Sequence, residues 1–115
     1  MDAKRRDVFQ AIADPVRRDI IGLLARESMS VNAVAGNFAI SRPAISKHLR
    51  ILRECGLIQM EQKGRERHCR IQPQNLAPVA DWVEPFRKLW EEKLDRFEAY
   101  LSTLKEEDTQ DESDT

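Results

Sequence analysis

Ile40-Ser41-Arg42-Pro43-Ala44-Ile45-Ser46-Lys47-His48-Leu49-Arg50-Ile51-Leu52-Arg53-Glu54-Cys55-Gly56 separates into two faces when wound as a helix of about 3.6 residues per turn. Ile45, Leu49, Leu52 and Gly56 fall on one side, which would pack on a core. Arg42, Ser46, Arg50 and Arg53 fall on the other, with Lys47 flanking the row. Ser41 supplies a capping hydroxyl, Pro43 suits the first turn, and Gly56 suits a left-handed end. The stretch therefore predicts a helix over 42–55 with one apolar and one basic face. A basic face on a helix is most often simply solvated. It can also enter the major groove of duplex DNA, where arginine reads guanine bidentately and serine adapts to several bases. The flanking sequence bears on that choice.

Upstream, Arg5–Ala13 reads as a short helix with Val8, Phe9 and Ile12 on one side. Asp14-Pro15 is a strong helix start. Val16, Ile20, Leu23 and Leu24 carry a second helix to about Arg26. Ser30 caps a third, Val31–Phe38, and Ala39-Ile40 connects it tightly to the 42–55 helix. Downstream of Gly56 the period changes from that of a helix to that of a strand. Ile58 and Met60 alternate with polar residues, as do Cys69 and Ile71, around the basic tip Lys63-Gly64-Arg65-Glu66. This predicts a two-stranded antiparallel hairpin over 58–71, closed by Pro73. A helix pair followed by a basic hairpin is the order of a winged helix-turn-helix. In that arrangement the N-terminal residues of the 42–55 helix reach base edges, Arg50 and Arg53 are better placed for phosphates, and the wing residues Lys63, Arg65 and Arg67 lie along a neighbouring groove or backbone.

The last long segment, roughly Gln74–Lys105, is helical again, with an apolar stripe of Val79, Val83, Phe86, Trp90, Leu94, Phe97, Leu101 and Leu104. Glu84-Pro85 is expected to kink or split it. Trp82, Phe86, Trp90 and Phe97 are more aromatic surface than a small core served by four other helices can cover. Dimerisation is therefore expected through the first and last helices, at Val8, Phe9, Val79, Trp82, Val83, Phe86, Trp90, Leu94, Phe97 and Leu101. The fold class is mainly α with a small β-hairpin: one DNA-binding and dimerisation domain over 1–105, then an acidic tail over 106–115 expected to lack structure.

These residues also carry a resemblance. Ala13-Asp14-Pro15-Val16-Arg17-Arg18-Asp19-Ile20-Ile21 and Ser41-Arg42-Pro43-Ala44-Ile45-Ser46-Lys47-His48-Leu49 resemble signatures of the ArsR/SmtB family of bacterial regulators, and Gly56-Leu57-Ile58 and Lys63-Gly64-Arg65 fit its strand entry and wing. The resemblance implies a homodimeric repressor on an inverted-repeat operator. It implies Arg42, Ser46 and Lys47 as base readers, with Ser41 and Pro43 at the helix start. His48 matches a motif position between the two faces, where packing and phosphate contact are alternatives. Metal-sensing members place cysteines on the third helix, or Asp and His on the last. Here Val31–Phe38 has neither Cys nor His, and 81–104 has no His. The departure points to the metal-free, SdpR-like autorepressor branch, which the run Trp82–Lys93 also resembles. No metal or cofactor is expected, and the effector is left open between a protein and a small molecule.

Charge agrees with that division of labour. The net charge of −1 conceals fourteen Lys/Arg against eight Asp/Glu in residues 1–70, and five against twelve in 71–115. The 115 residues suit one domain, and 41% hydrophobic content is enough for a modest core. No apolar run is long enough to span a membrane, and the N-terminal residues lack the apolar core of a signal peptide. The two cysteines, Cys55 and Cys69, make no disulfide framework, so a reducing cytoplasm is the simplest compartment. They leave one alternative, a redox-responsive regulator. Another is a protein-interaction module using the long helix. Catalysis is not expected, since there is no phosphate loop, activated nucleophile or metal cluster.

Overall fold

The computed structural model describes residues 7–113. It divides into two compact units, one ending at Val79 and one beginning at Ala80. The first unit contains α1 (Val8–Ala11), α2 (Pro15–Arg26), β1 (Met29–Ser30), α3 (Val31–Ala35), α4 (Arg42–Glu54), β2 (Ile58–Lys63) and β3 (Glu66–Ile71). A 3-10 turn, Pro73–Leu76, then leads into α5 (Ala77–Ser113). The helices start where short polar side chains precede them. Asp7, Asp14, Ser30 and Ser41 each accept a hydrogen bond from the backbone N–H three residues on, at 2.9, 3.0, 3.1 and 3.2 Å. The expected start of the first helix at Arg5 lies outside the described residues. The third helix is shorter than expected, stopping before Gly36.

The end of α4 follows from Gly56. Its φ of 78° is a region a Cβ disfavours. There its N–H reaches the Arg53 carbonyl, and the Leu57 N–H reaches back to Leu52, each at 3.0 Å. The chain thereby reverses into β2 with Leu57 fully buried. The Asn75 side chain donates to the Gly56 carbonyl at 2.7 Å, tying this reversal to the 3-10 turn.

The sheet has three strands in the order β1-β3-β2, all antiparallel, rather than the two of the expected hairpin. β2 and β3 pair from Ile58↔Ile71 to Lys63↔Glu66 around Gly64, whose φ is 62°. The added strand is β1, pairing Met29↔Cys69 and Ser30↔His68. The core is apolar. Ile20 and Leu24 of α2, Val34 of α3, Ile45, Leu49 and Leu52 of α4, Leu57 and Cys69 pack together at 2% exposure or less. Val8 joins this core at 7% exposure, so it serves its own protomer and is not an exposed dimer residue. Val79 is half-buried against the same core.

In the second unit α5 is continuous across Pro85, where a kink or a split was expected, so the helix is not split there. Pro85 denies the Asp81 carbonyl its intrahelical donor. Arg87 bridges the weakened turn, donating to Glu84 at 2.9 Å and to Glu91 at 3.3 Å. The helix also runs on to Ser113, through residues expected to lack structure. That segment contains neither glycine nor proline and is rich in glutamate, a good helix former. No helix among the described residues is long and apolar enough to cross a membrane.

The cap at Asp14 yields a pH prediction. The Arg17 N–H above all, with lesser help from the Arg17 charge and the Val16 N–H, holds this carboxyl below its usual range against burial, the second largest effect. A folded-state pKa below the unfolded one contributes stability that is present above the ordinary carboxylate pKa and lost as pH falls from there through the lowered folded-state pKa. Asp14→Ala is expected to cost about 1 kcal/mol at neutral pH in urea titration. The gap from the unsubstituted protein should close below about pH 4. A gap that persists unchanged in acid would contradict this account of the cap.

Candidate nucleic-acid interface

The N-terminal end of α4 is exposed at Ser41, Arg42, Pro43, Ser46 and Lys47, and the outer row continues with exposed Arg50 and Arg53. Burying Ile45, Leu49 and Leu52 leaves these side chains nowhere to go but outward. Arg42 does not float freely. Its guanidinium donates to the side-chain oxygen of Asn32 on α3, holding the two helices of the pair together at the end that would face a base edge. Asn32 was not among the expected site residues. Its only signal is an amide on the exposed side of α3.

A cleft of about 360 Å³ lies between α4 and the hairpin. It collects Arg42, Ser46, Arg50 and Arg53 from the helix with Arg65 and Arg67 from the wing, over an apolar floor that includes Leu49 and Met60. Five arginines converge here against a single acid, Glu66. The cleft is therefore a strongly positive concavity, suited to a polyanion backbone. Lys63 does not join it. It lines the other side of the hairpin with Ser28, Gln59, Glu61, His68 and Arg70. Lys47 and His48 also lie outside the cleft lining, with Lys47 on the exposed flank of the row.

His48 is half-buried, and the structure places it against other helices. Its Nδ1 lies 3.4 Å from a guanidinium nitrogen of Arg17 and 3.9 Å from the Asp14 carboxylate. Arg17 in turn donates from Nε to the Ala11 carbonyl at 2.8 Å and from its second terminal nitrogen to the Gln10 carbonyl at 3.1 Å. Arg18 donates to Ile12 at 2.7 Å. The paired arginines thus bring side-chain donors to the carbonyls at the end of α1, of which that of Gln10 also accepts the Ala13 N–H at 3.3 Å. Both arginines stand within the stretch Ala13–Ile21, where spacing alone gives them no role.

The thiols are poorly placed for redox sensing. Cys69 is fully buried between Met29 and Met60 in the sheet, and burial pushes its thiol pKa up despite the nearby Arg67. A responsive thiol needs exposure and a thiolate. Cys55 is half-buried at the end of α4. The redox alternative therefore has no support here. Among the described residues no cluster of three or more His, Cys, Asp or Glu is arranged to hold a metal ion.

In the second unit the stripe on α5 is open to solvent. Trp82 is 61% exposed, Trp90 55%, Leu94 58% and Phe97 57%. Phe86, Leu101 and Leu104 are exposed as well, and Val83 is half-buried. The Trp82 and Phe86 rings lie 5.0 Å apart, centroid to centroid. Phe9 of α1 is also exposed.

Residues 14–60 match the bacterial regulatory protein, arsR family. The transcriptional repressor SdpR of Bacillus subtilis is 36% identical over 80 residues, which covers 70% of this chain and 89% of SdpR. The crystal structure of an ArsR family transcriptional regulator aligns with a TM-score of 0.63 at 36% identity, covering 72% of this chain and 91% of that one. A homodimeric winged helix-turn-helix DNA-binding domain from Mycobacterium bovis aligns with a TM-score of 0.58 at 26% identity, covering 70% and 75%.

Proposed function

The chain belongs to the arsR family of bacterial regulatory proteins, a transcription regulator and not an enzyme, and from that premise we propose that it is a homodimeric repressor of the SdpR-like branch. In this reading it acts in the cytoplasm and binds an inverted-repeat operator through α4 and the wing. Arg42, Ser46 and Lys47 face base edges, with Ser41 and Pro43 at the helix start. Arg50, Arg53, Arg65 and Arg67 hold phosphates along the cleft, and Lys63 meets backbone on the outer side of the hairpin. Phe9 and the α5 stripe from Trp82 to Leu101 join the two copies. A two-fold pair of α4 helices reads a palindrome, and blocking polymerase requires nothing beyond occupancy of the site.

One observation supports this most: the convergence of four α4 side chains and two wing arginines on one positive cleft. A helix face that was merely solvated would not need the wing arginines turned toward it. The repressor role is suggested by the name of SdpR, and the dimer by the homodimeric neighbour.

The test is a titration of the purified protein against the promoter fragment upstream of its own coding sequence and against random DNA of equal length, at several salt concentrations. Preferential binding to one palindromic site is expected, with log affinity falling linearly in log salt by about 0.9 per phosphate neutralised. Equal binding to both DNAs, or none, would overturn the reading and favour a protein partner for α5.

A further inference from the structure

We propose that Arg17 and His48 are positioning residues for operator recognition, together fixing how α4 is rotated on the α1–α2 pair. The inference rests on the proposed DNA-reading role of α4 and assigns a role to two residues that lie outside the cleft.

The apolar attachment of α4 through Ile45, Leu49 and Leu52 is strong but non-directional. Such burial sets the depth of the helix and constrains rotation about its axis less. Reading base edges is demanding in the second respect, tolerating about 0.5 Å and 10–20° of misplacement. Directional bonds from α4 to other helices meet that demand. Arg42 reaches α3 from the first residue of α4, and His48 reaches α2 from its middle. Two such points, more than a turn apart, define an orientation as one cannot.

Arg17 is built to be the fixed end of the second bond. Its Nε and one terminal nitrogen are committed to Ala11 and Gln10, and its backbone N–H to the Asp14 carboxylate. A guanidinium held at those points has little rotamer freedom, so its remaining terminal nitrogen presents a donor in a set direction. Guanidinium only donates, so the contact to His48 is a hydrogen bond when Nδ1 is bare and the ring proton sits on Nε2. At 3.4 Å the bond is long. Losing it should cost little folding stability and should act mainly on orientation. Arg17 thereby links the end of α1, the cap of α2 and the middle of α4 through a single side chain.

The side-chain chemistry of asparagine and glutamine separates this role from the other one open to His48, a phosphate contact from Nε2. An asparagine amide can place its oxygen near the position of Nδ1. A glutamine amide reaches to about the position of Nε2. The experiment measures affinity for the promoter fragment and for random DNA at one salt concentration, with urea midpoints, for the full chain and for His48→Asn, His48→Gln, His48→Ala and Arg17→Lys. The promoter-over-random ratio should stay within about twofold in His48→Asn. It should fall roughly tenfold in His48→Gln, His48→Ala and Arg17→Lys. In the His48 variants random-DNA affinity and urea midpoint should hardly move, so the proposal stands on them even if Arg17→Lys folds poorly.

Lower affinity for both DNAs in His48→Asn and His48→Ala, retained in His48→Gln and with the ratio unchanged, would overturn the proposal in favour of a phosphate contact. An unchanged ratio in all the His48 variants, or losses that simply track the urea midpoint, would overturn it outright. Absence of any promoter preference in the unsubstituted protein would instead overturn the proposed function, and this inference with it.

Discussion

Substituting alanine for both Arg42 and Lys47 is expected to lower affinity for the promoter fragment by roughly a hundredfold or more, taking a good base contact as about 1–3 kcal/mol. Both side chains are exposed, so the fold should survive. The loss should be largest on the specific site, because random DNA is bound through phosphates that Arg50, Arg53, Arg65 and Arg67 can still neutralise. Arg42 also gives up its bond to Asn32, which adds a small loosening of the helix pair. Electrophoretic shift or anisotropy titration, alongside a thermal melt, measures all of this. A variant that melts normally and binds the promoter as before would remove α4 from the reading of sequence.

The second large effect concerns α5. Phe86→Glu/Trp90→Glu is expected to make the protein monomeric by light scattering at micromolar concentration and to cut promoter affinity by a further two orders of magnitude or so. Each aromatic ring buries about 150–250 Å², which at ~25 cal/mol per Å² corresponds to at most roughly 4–6 kcal/mol per ring removed from a dimer. The substitutions also bring four carboxylates together at the interface. Linked half-site readers bind as one unit, and separated ones lose the effective concentration of the second event. Glutamate is a good helix former, so helical circular dichroism should persist. A dimer that survives both substitutions would exclude the stripe as its interface.

Much of the first unit was legible from the chain because its signals are local. Asp14, Ser30 and Ser41 each cap the helix that follows, and Gly56 ends α4 in a left-handed turn. The core face of α4 follows from Ile45, Leu49 and Leu52 alone. The missing pieces are those whose cause lies far along the chain. β1 is two residues long, too short to show a period, and exists because β3 offers it an edge forty positions later. Val8 looked like interface material because an apolar residue on a short amphipathic helix has two equally good destinations. It takes the protomer core, on a helix whose end receives hydrogen bonds from Arg17 and Arg18. That Pro85 does not split α5 has a different reason. One lost backbone bond is tolerated in a helix of 37 residues whose neighbouring turn is bridged by Arg87.

The same asymmetry between near and distant signals applies to the candidate site. The basic row and the wing tip are visible by spacing. The partners that hold Arg42 and His48, Asn32 and Arg17, are not, since a hydrogen bond between helices leaves no periodic trace in a sequence.

β1 also constrains how chains of this design can vary in length. It runs directly into α3 and lies in the same sheet as the wing. An extra residue between Ser28 and Val31 would slip the β1–β3 register, turn Met29 to the opposite face and displace the helix pair together with its attachment to the hairpin. Extra residues at Gly64, beyond the last β2–β3 pair at Lys63↔Glu66, would lengthen the wing and leave everything else in place. Descendants of such a chain are therefore free to change how far they reach along DNA at the tip, while the spacing between the second helix and the helix pair is held nearly invariant.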